Sequence, residues 1–274
     1  MNIFAEGARL ITGYAERLTG ETRTEGFAKE LADRFAAVWV LITRIPLPET
    51  LRPRTFTLPS ADDMTMMPLA GGLFGFLAAL PAWLISAALP SMASAWIACA
   101  IYTVLGWSLH LDGWGDLWDG LGSGARGDAL RAVMKDSRVG AFGVAGIAFA
   151  IAIRAALLGA ASPDKWLPLC AVAGGVGRFG SNVTALFGKY PWREGMARDV
   201  VRNFTGYQLF CSFLAACLLF PLAPYGWVCG MVASCAAGAS LSYWCGKNLG
   251  GVNGDVIGAS AVLCELMVFM GCSI

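Results

Sequence analysis

Residues 139–161 read Val-Gly-Ala-Phe-Gly-Val-Ala-Gly-Ile-Ala-Phe-Ala-Ile-Ala-Ile-Arg-Ala-Ala-Leu-Leu-Gly-Ala-Ala, with Arg154 the single charge. A bilayer core about 30 Å thick takes about 20 apolar residues as a helix, so this stretch predicts a transmembrane helix. Six others have the same character: 67–89, 92–110, 166–187, 206–222, 226–244 and 256–273. The expected fold is all-α and polytopic, with about seven transmembrane helices. The whole composition agrees. Of 274 residues 57% are hydrophobic and 14% charged, against about 25% charged in a soluble domain, and the mean hydropathy is +0.60. A water-soluble enzyme, a disordered chain and a nucleic-acid-coating protein are poor fits. With 20 Lys+Arg against 19 Asp+Glu the net charge is +1, so no nucleic-acid partner is expected. Any phosphate chemistry must come from local clusters.

Pro81, Pro221 and the many glycines within these stretches do not argue against helix, because neighbouring spans re-satisfy freed backbone groups and small residues let helices approach. The nine cysteines all lie in apolar stretches, without C-x-x-C spacing, and read as small hydrophobes. Nothing at the N-terminus resembles a removable signal peptide. Phe4, Ile11 and Leu18 recur seven apart, with Arg9, Glu16 and Arg17 between them and Gly20 ending the pattern. An amphipathic segment on the membrane surface is expected there. Residues 1–66 hold eight Lys or Arg, 111–138 four and 188–205 four, while the alternate connections hold almost none. The positive-inside rule makes those segments cytoplasmic in a cell (inner) membrane, with the N-terminus inside. The apolar run 35–42 is cut off by Thr43-Arg44-Ile45-Pro46-Leu47-Pro48, too early to span. It is read as re-entrant or interfacial in preference to an eighth span, because drawing in 27–34 would bury Lys29, Glu30, Asp33 and Arg34. Residues 1–66 thus form a cytoplasmic or interfacial segment, and 67–274 a single transmembrane helical domain.

The few charges point to function. His110-Leu-Asp112-Gly-Trp-Gly-Asp116-Leu-Trp-Asp119-Gly120 follows the second span. At about 100° per residue the three aspartates fall within about 60° of arc on a helix. Two like charges about 6 Å apart cost roughly 2–3 kcal/mol at an effective dielectric of 20, so the face needs a counter-ion. Oxygen ligands without Cys or His suit Mg²⁺, Mn²⁺ or Ca²⁺. The competing reading is that Arg126, Arg131, Lys135 and Arg138 neutralise the cluster within the same loop. His110 has an imidazole suited to proton transfer, but a lone His at a helix end also serves structure.

Asp128 is a good N-cap residue, and Arg131, Lys135 and Arg138 follow at i, i+4, i+7. That spacing makes a basic stripe, either a set of donors to phosphate oxygens or a solvated face. Gly250-Gly251-Val252-Asn253-Gly254-Asp255 lies before the last span. Consecutive glycines let backbone N–H groups approach a phosphate, or simply make a tight connection. Arg154, Arg178, Asn182 and Glu265 stand where charge or polarity is expensive, and such residues mark functional paths. Arg178 or Glu265 could equally be half of a structural ion pair, and Arg154 could snorkel.

Several of these segments, with Thr43 to Pro48, Pro68-Leu69-Ala70-Gly71, Met134 to Gly143, and Tyr190-Pro191 with Glu194-Gly195, closely resemble the cobalamin synthase family of adenosylcobinamide-GDP ribazoletransferases. The resemblance runs in order from about 40 to 265, and the run 110–143 is its specific part. Asn253 stands where the family usually has Thr, and Trp114, Gly115 and Trp118 depart from its common small residues. Residues before 35 match nothing. The resemblance implies a Mg²⁺-dependent enzyme that joins adenosylcobinamide-GDP to α-ribazole or its 5′-phosphate and releases GMP. On this reading Asp112, Asp116, Asp119 and Asp255 hold the metal, and Lys135 and Arg138, with Arg178, Gly250, Gly251 and Gly254, bind substrate. The base is one of the carboxylates or His110. Oligomeric state is left open.

Two other readings compete with this one. A CDP-alcohol phosphotransferase-like lipid enzyme shares Asp116-x-x-Asp119-Gly120 and Ala125-Arg126, but the spacing differs and its second half is absent. A transporter would explain the spans and the deep Arg178 and Glu265, but the acidic cluster sits at a helix end and no inverted repeat is apparent.

Overall fold

The computed structural model describes residues 21–52 and 58–272, with side chains from residue 26 onward. The amphipathic pattern expected before residue 20 lies outside them. The described chain is helical throughout: α1 Glu21–Ile42, α2 Met67–Ile85, α3 Ser91–Leu105, α4 Leu109–Ser123, α5 Gly127–Met134, α6 Ala141–Ala160, α7 Trp166–Phe187, α8 Arg198–Asn203, α9 Gly206–Cys217, α10 Pro224–Asn248 and α11 Gly254–Gly271, with short 3-10 turns between some of them.

Four helices are long and apolar enough to cross a bilayer: Asp63–Ile85 (α2 with the turn before it), α6, α10 and α11. A fifth is added if α3 and α4, bent by 93°, count as one span. The expectation of seven included three further segments with different outcomes. Residues 92–110 form the 15-residue α3 and then a sharp corner, and 206–222 form the 12-residue α9 and a 3-10 turn. Residues 166–187 form α7 in full, but its apolar run is broken by Arg178, Ser181 and Asn182.

That interruption is tolerated because α7 faces protein. It is buried from Leu169 to Ala185 and forms the axis of the bundle, packed on α2, α10, α11 and α9. Its polar groups are spent internally: Ser181 Oγ donates to the Ile257 carbonyl at 2.9 Å, and Asn182 Nδ2 to the Met64 carbonyl at 2.8 Å and Ser212 Oγ at 2.7 Å. The closest packing is between α2 and α7. A Cβ on Gly174 would lie 2.2 Å from the Gly71 carbonyl oxygen, and one on Gly71 2.4 Å from that of Gly174. Only glycine lets these backbones touch, the usual means of holding helices together where lipid competes for apolar faces.

Residues 27–42 form one continuous helix that is not among those long and apolar enough to cross a bilayer. Those residues belong to α1, whose last turns bury Ala36, Val38, Trp39 and Ile42 while Lys29 and Glu30 stay exposed. The charges are therefore on the outer face, where Arg34 pairs with Glu30 at 2.6 Å and Asp62 at 3.8 Å. After α1, Thr43 Oγ1 and the Arg44 N–H both donate to the Leu105 carbonyl, at 3.1 and 2.7 Å, and the Arg44 guanidinium lies on the Trp107 ring. These contacts grip the α3–α4 corner. Trp107 and Ser108 are left-handed there, with φ of 58° and 57°, a conformation that costs non-glycine residues about 1–3 kcal/mol each.

The glycine contact can be tested directly. Gly174→Ala pushes a methyl into backbone that cannot yield, and should destabilise the detergent-solubilised protein by about 1–3 kcal/mol or more. Gly246→Ala, with nothing within 4 Å, should be neutral or gain up to about 1 kcal/mol of helix propensity. Thermal unfolding of both variants checks the contrast.

Candidate active site

α4 leaves α3 at 93° and packs along α6 and α11, from Leu111 against Ala150 and Leu266 to Gly122 against Phe142, toward the end of the bundle where the loops meet. Gly113 lets it seat against the first turn of α11: a Cβ there would lie 2.6 Å from the Asp255 carbonyl oxygen and 2.8 Å from its Cα. Asp112, Asp116 and Asp255 thereby face one another, and Asp116 feels all the neighbouring carboxylates. Partial burial, then the charges of Asp255, Asp112 and Asp119, push its pKa up to about 7. The carboxylates that act on Asp116 thus include Asp255, from more than a hundred residues away.

Asp119 is turned to other partners. Its two oxygens accept the backbone N–H groups of Gly140 and Gly143, both at 2.7 Å, at the start of α6. Unpaired N–H groups at a helix N-terminus favour an anion. Gly140 and Gly143 are required by this contact, since a Cβ on either would lie 2.4 or 2.3 Å from an Asp119 oxygen. Asp119 therefore ties α4 to α6.

The basic stripe does not form as expected. α5 begins at Gly127, with Arg126 at the N-cap position, so Asp128 lies in the first turn and caps nothing. It ends at Met134 because Asp136 Oδ1 takes the Arg138 backbone N–H at 3.0 Å, a local alternative to the helical bond. The three cations then diverge. Arg131 lies 4.6 Å over the Trp192 ring, and Lys135 is within electrostatic reach of Asp255. Arg138, its side chain 88% exposed, pairs with Asp136 at 2.8 Å. That pairing holds the Asp136 carboxyl down at about 2.

The glycine loop closes the other side. The Val252 N–H donates to the Lys189 carbonyl at 2.8 Å, and Gly251 packs on Pro191. Gly250 has φ +88° with open space where a side chain would stand, and Gly254 is the first residue of α11. Asn253 Oδ1 caps α11 by accepting the Val256 N–H at 3.0 Å, while its Nδ2 donates to Asp255 at 2.7 Å. The oxygen that could have met a ligand in this loop is therefore committed to the helix. Tyr190 also lies near Asp255, with its hydroxyl donating to the Glu194 carbonyl at 2.9 Å. Segments 111–138, 188–205 and 245–255 thus meet at one end of the bundle.

Arg178 does not reach that mouth. It is 2% exposed and ion-paired with Glu265, which also binds Arg154 and the Tyr102 hydroxyl. Arg154 is buried and does not snorkel. Arg178 Nη1 meets the Tyr102 hydroxyl at 2.7 Å and its Nη2 lies 3.1 Å from His110 Nδ1. Tyr102 was missed from the sequence, where its only signal was a phenol within an apolar run.

Among the described residues no three Asp, Glu, His or Cys side chains already stand in metal-binding geometry. The donor chemistry nevertheless fits a hard cation: Asp112, Asp116 and Asp255 offer oxygens only, and their mutual repulsion is relieved by positive charge.

The chain matches the family model for cobalamin-5-phosphate synthase over residues 34–273, and it belongs to that family. It is 33% identical over 238 residues to the adenosylcobinamide-GDP ribazoletransferase of Syntrophobacter fumaroxidans, covering 85% of this chain and 95% of that protein. It is 33% identical over 233 residues to that of Geotalea daltonii (82% and 91%), and 30% identical over 248 residues to that of Ralstonia nicotianae (87% and 95%). No solved structure matches it.

The raised pKa of Asp116 predicts a stability effect with a definite sign. An ordinary aspartate titrates near 4, so between about pH 4 and 7 the folded protein binds the extra proton and stability falls as pH rises through that window. Asp116→Asn should therefore raise the melting temperature in chelator at pH 7.5. Adding Mg²⁺ should raise that of the parent protein and leave the variant unmoved. A variant melting at or below the parent in chelator would show that the basic residues already neutralise the cluster.

Proposed function

We propose that the protein transfers the adenosylcobinamide-phosphate group of adenosylcobinamide-GDP to α-ribazole, or its 5′-phosphate, releasing GMP. The supporting observation is the meeting of Asp112, Asp116 and Asp255 with Lys135 at the loop end, in a chain of the cobalamin-5-phosphate synthase family. The loop end faces the cytoplasm of a cell (inner) membrane, on the distribution of Lys and Arg.

In the reaction the ribazole hydroxyl attacks the phosphorus that bears the cobinamide side chain. A new P–O bond forms, the bridging P–O bond to GMP breaks, and the hydroxyl proton passes to a group at the mouth. Such transfers depend on positioning and charge neutralisation. Asp112, Asp116 and Asp255 are the residues that would hold Mg²⁺. The ion would supply positive charge against the diphosphate. Lys135 meets the diphosphate oxygens from the other side. Arg138 joins only by exchanging Asp136 for substrate, and Asp119 keeps α6 in register with α4. The open backbone at Gly250 leaves room for a ligand beside Asp255.

The purified protein should release GMP from adenosylcobinamide-GDP only when ribazole is added; no release with both substrates and Mg²⁺ would overturn the reading. Lys135→Ala should raise the apparent KM for the GDP-bearing substrate about tenfold to a hundredfold, the cost of one charge-assisted hydrogen bond. The KM for ribazole should hardly move. Arg138→Ala should cost less than Lys135→Ala, because Arg138 already has a partner. Steady-state kinetics varying each substrate separately checks all three expectations.

A further inference from the structure

His110 is the only histidine of the chain, two residues before Asp112 on α4. Its Nδ1 lies 3.1 Å from Arg178 Nη2. A guanidinium has donors and no acceptor, so Nδ1 must accept and the single proton of the neutral ring sits on Nε2. Arg178 has no freedom to withdraw. Its Nη1 is shared among Glu265, the Tyr102 hydroxyl and the Gly174 carbonyl, and the other Glu265 oxygen is held by Arg154. The Arg154 guanidinium in turn lies 4.4 Å over the Tyr102 ring. The imidazole stands against the backbone of α11, where a Cβ on Gly258 would be 3.2 Å from His110 Cα and 3.5 Å from Cδ2. Nε2, by contrast, has no hydrogen-bond partner among the described residues, and His110 as a whole is only partly buried.

We propose that Arg178, braced by Glu265, Arg154 and Tyr102, is a positioning residue that holds His110 as the Nε2–H tautomer, so that His110 donates a hydrogen bond to a phosphate oxygen of the substrate. His110 is then not the base. For Nε2 to take the ribazole proton, the ring would need its own proton on Nδ1, directly against a guanidinium, or both nitrogens protonated beside two arginines. The hydroxyl proton goes instead to a carboxylate of the cluster. The donor role rests on the proposed function, since it requires a phosphate at this mouth; the tautomer does not.

The single histidine makes the tautomer measurable without assignment. Protein labelled with ¹⁵N only at histidine, in lipid nanodiscs, should show Nδ1 at the shift of an unprotonated ring nitrogen and Nε2 at that of a protonated one. The couplings of each nitrogen to the ring hydrogens tell the two apart. Nδ1 protonated, or both protonated, overturns the proposal. Arg178→Met should remove the bias and draw both shifts toward their mean, and a spectrum unchanged from the parent would show that Arg178 does not set the tautomer. Should that variant fail to fold, the parent spectrum and substitutions at His110 decide. Gln places an amide N–H near the former Nε2 and cannot act as a base. Loss of a donor to a charged oxygen predicts that His110→Ala slows turnover about tenfold to a hundredfold, and that His110→Gln recovers most of that loss. If His110 were the base, Gln and Ala would fall together, by about 10²–10⁴-fold. Absence of GMP release by the parent would overturn the proposed function and the donor role with it, and the spectrum would still report the tautomer.

Discussion

A carboxylate held among membrane helices must be paired, and Glu265 is paired twice. Both its oxygens are taken by guanidinium groups, from Arg154 on α6 and Arg178 on α7, and the Tyr102 hydroxyl on α3 adds a third contact. Removing one partner from a buried ion pair leaves an uncompensated charge, typically at a cost of about 3–5 kcal/mol, so these helices cannot slide or rotate independently. With α11 bearing Glu265, the cluster fixes four helices against one another, and through His110 it reaches the first turn of α4. The glycine contact between α2 and α7 supplies closeness, but it is non-polar and sets no register of its own. Direction comes from the charges.

The same logic operates at the loop end with the sign reversed. Asp112, Asp116 and Asp255 are brought together without a matching set of fixed cations, and Asp116 reports the cost in its raised pKa. An interior carboxylate gripped by two guanidinium groups gives rigidity; a rim of carboxylates left under-compensated gives affinity for something positive. Local strain of this kind is characteristic of functional sites.

What the sequence disclosed follows from range. Apolar runs are local, so 139–161 and 256–273 could be read as helices from their own residues, and the carboxylates of α4 share a face because helical spacing is local too. Helix ends were less legible. The i, i+4, i+7 spacing of Arg131, Lys135 and Arg138 makes a stripe only if the helix continues, and the side chain of Asp136 stops it. The charges of 27–34 counted against an eighth span but gave no sign that 27–42 would be one helix, with those charges on its outer face and Arg34 answered by Glu30 and Asp62. Partners distant in sequence were beyond reach. Nothing around Asp119 announces that Gly140 and Gly143 will offer it their amides, and composition marks Arg178 and Glu265 as costly without saying that they answer each other. Span topology puts the loop of Asp255 on the same side as the cluster, and only the family resemblance assigned Asp255 to the cation site.

The corner at Trp107 and Ser108 has a consequence for how the protein divides. Two successive left-handed residues without glycine would relax if released, and the restraint comes from Thr43 and Arg44, which contribute no acid, no lysine and no membrane-crossing length. A chain shortened to begin at Met67 would keep the carboxylates of the cluster, Lys135 and the four long apolar helices, and would lose the hand that holds α4 at its angle. The chemistry and the aim of the chemistry are encoded in separate stretches of the polypeptide, and the amino-terminal one is the sight and not the barrel.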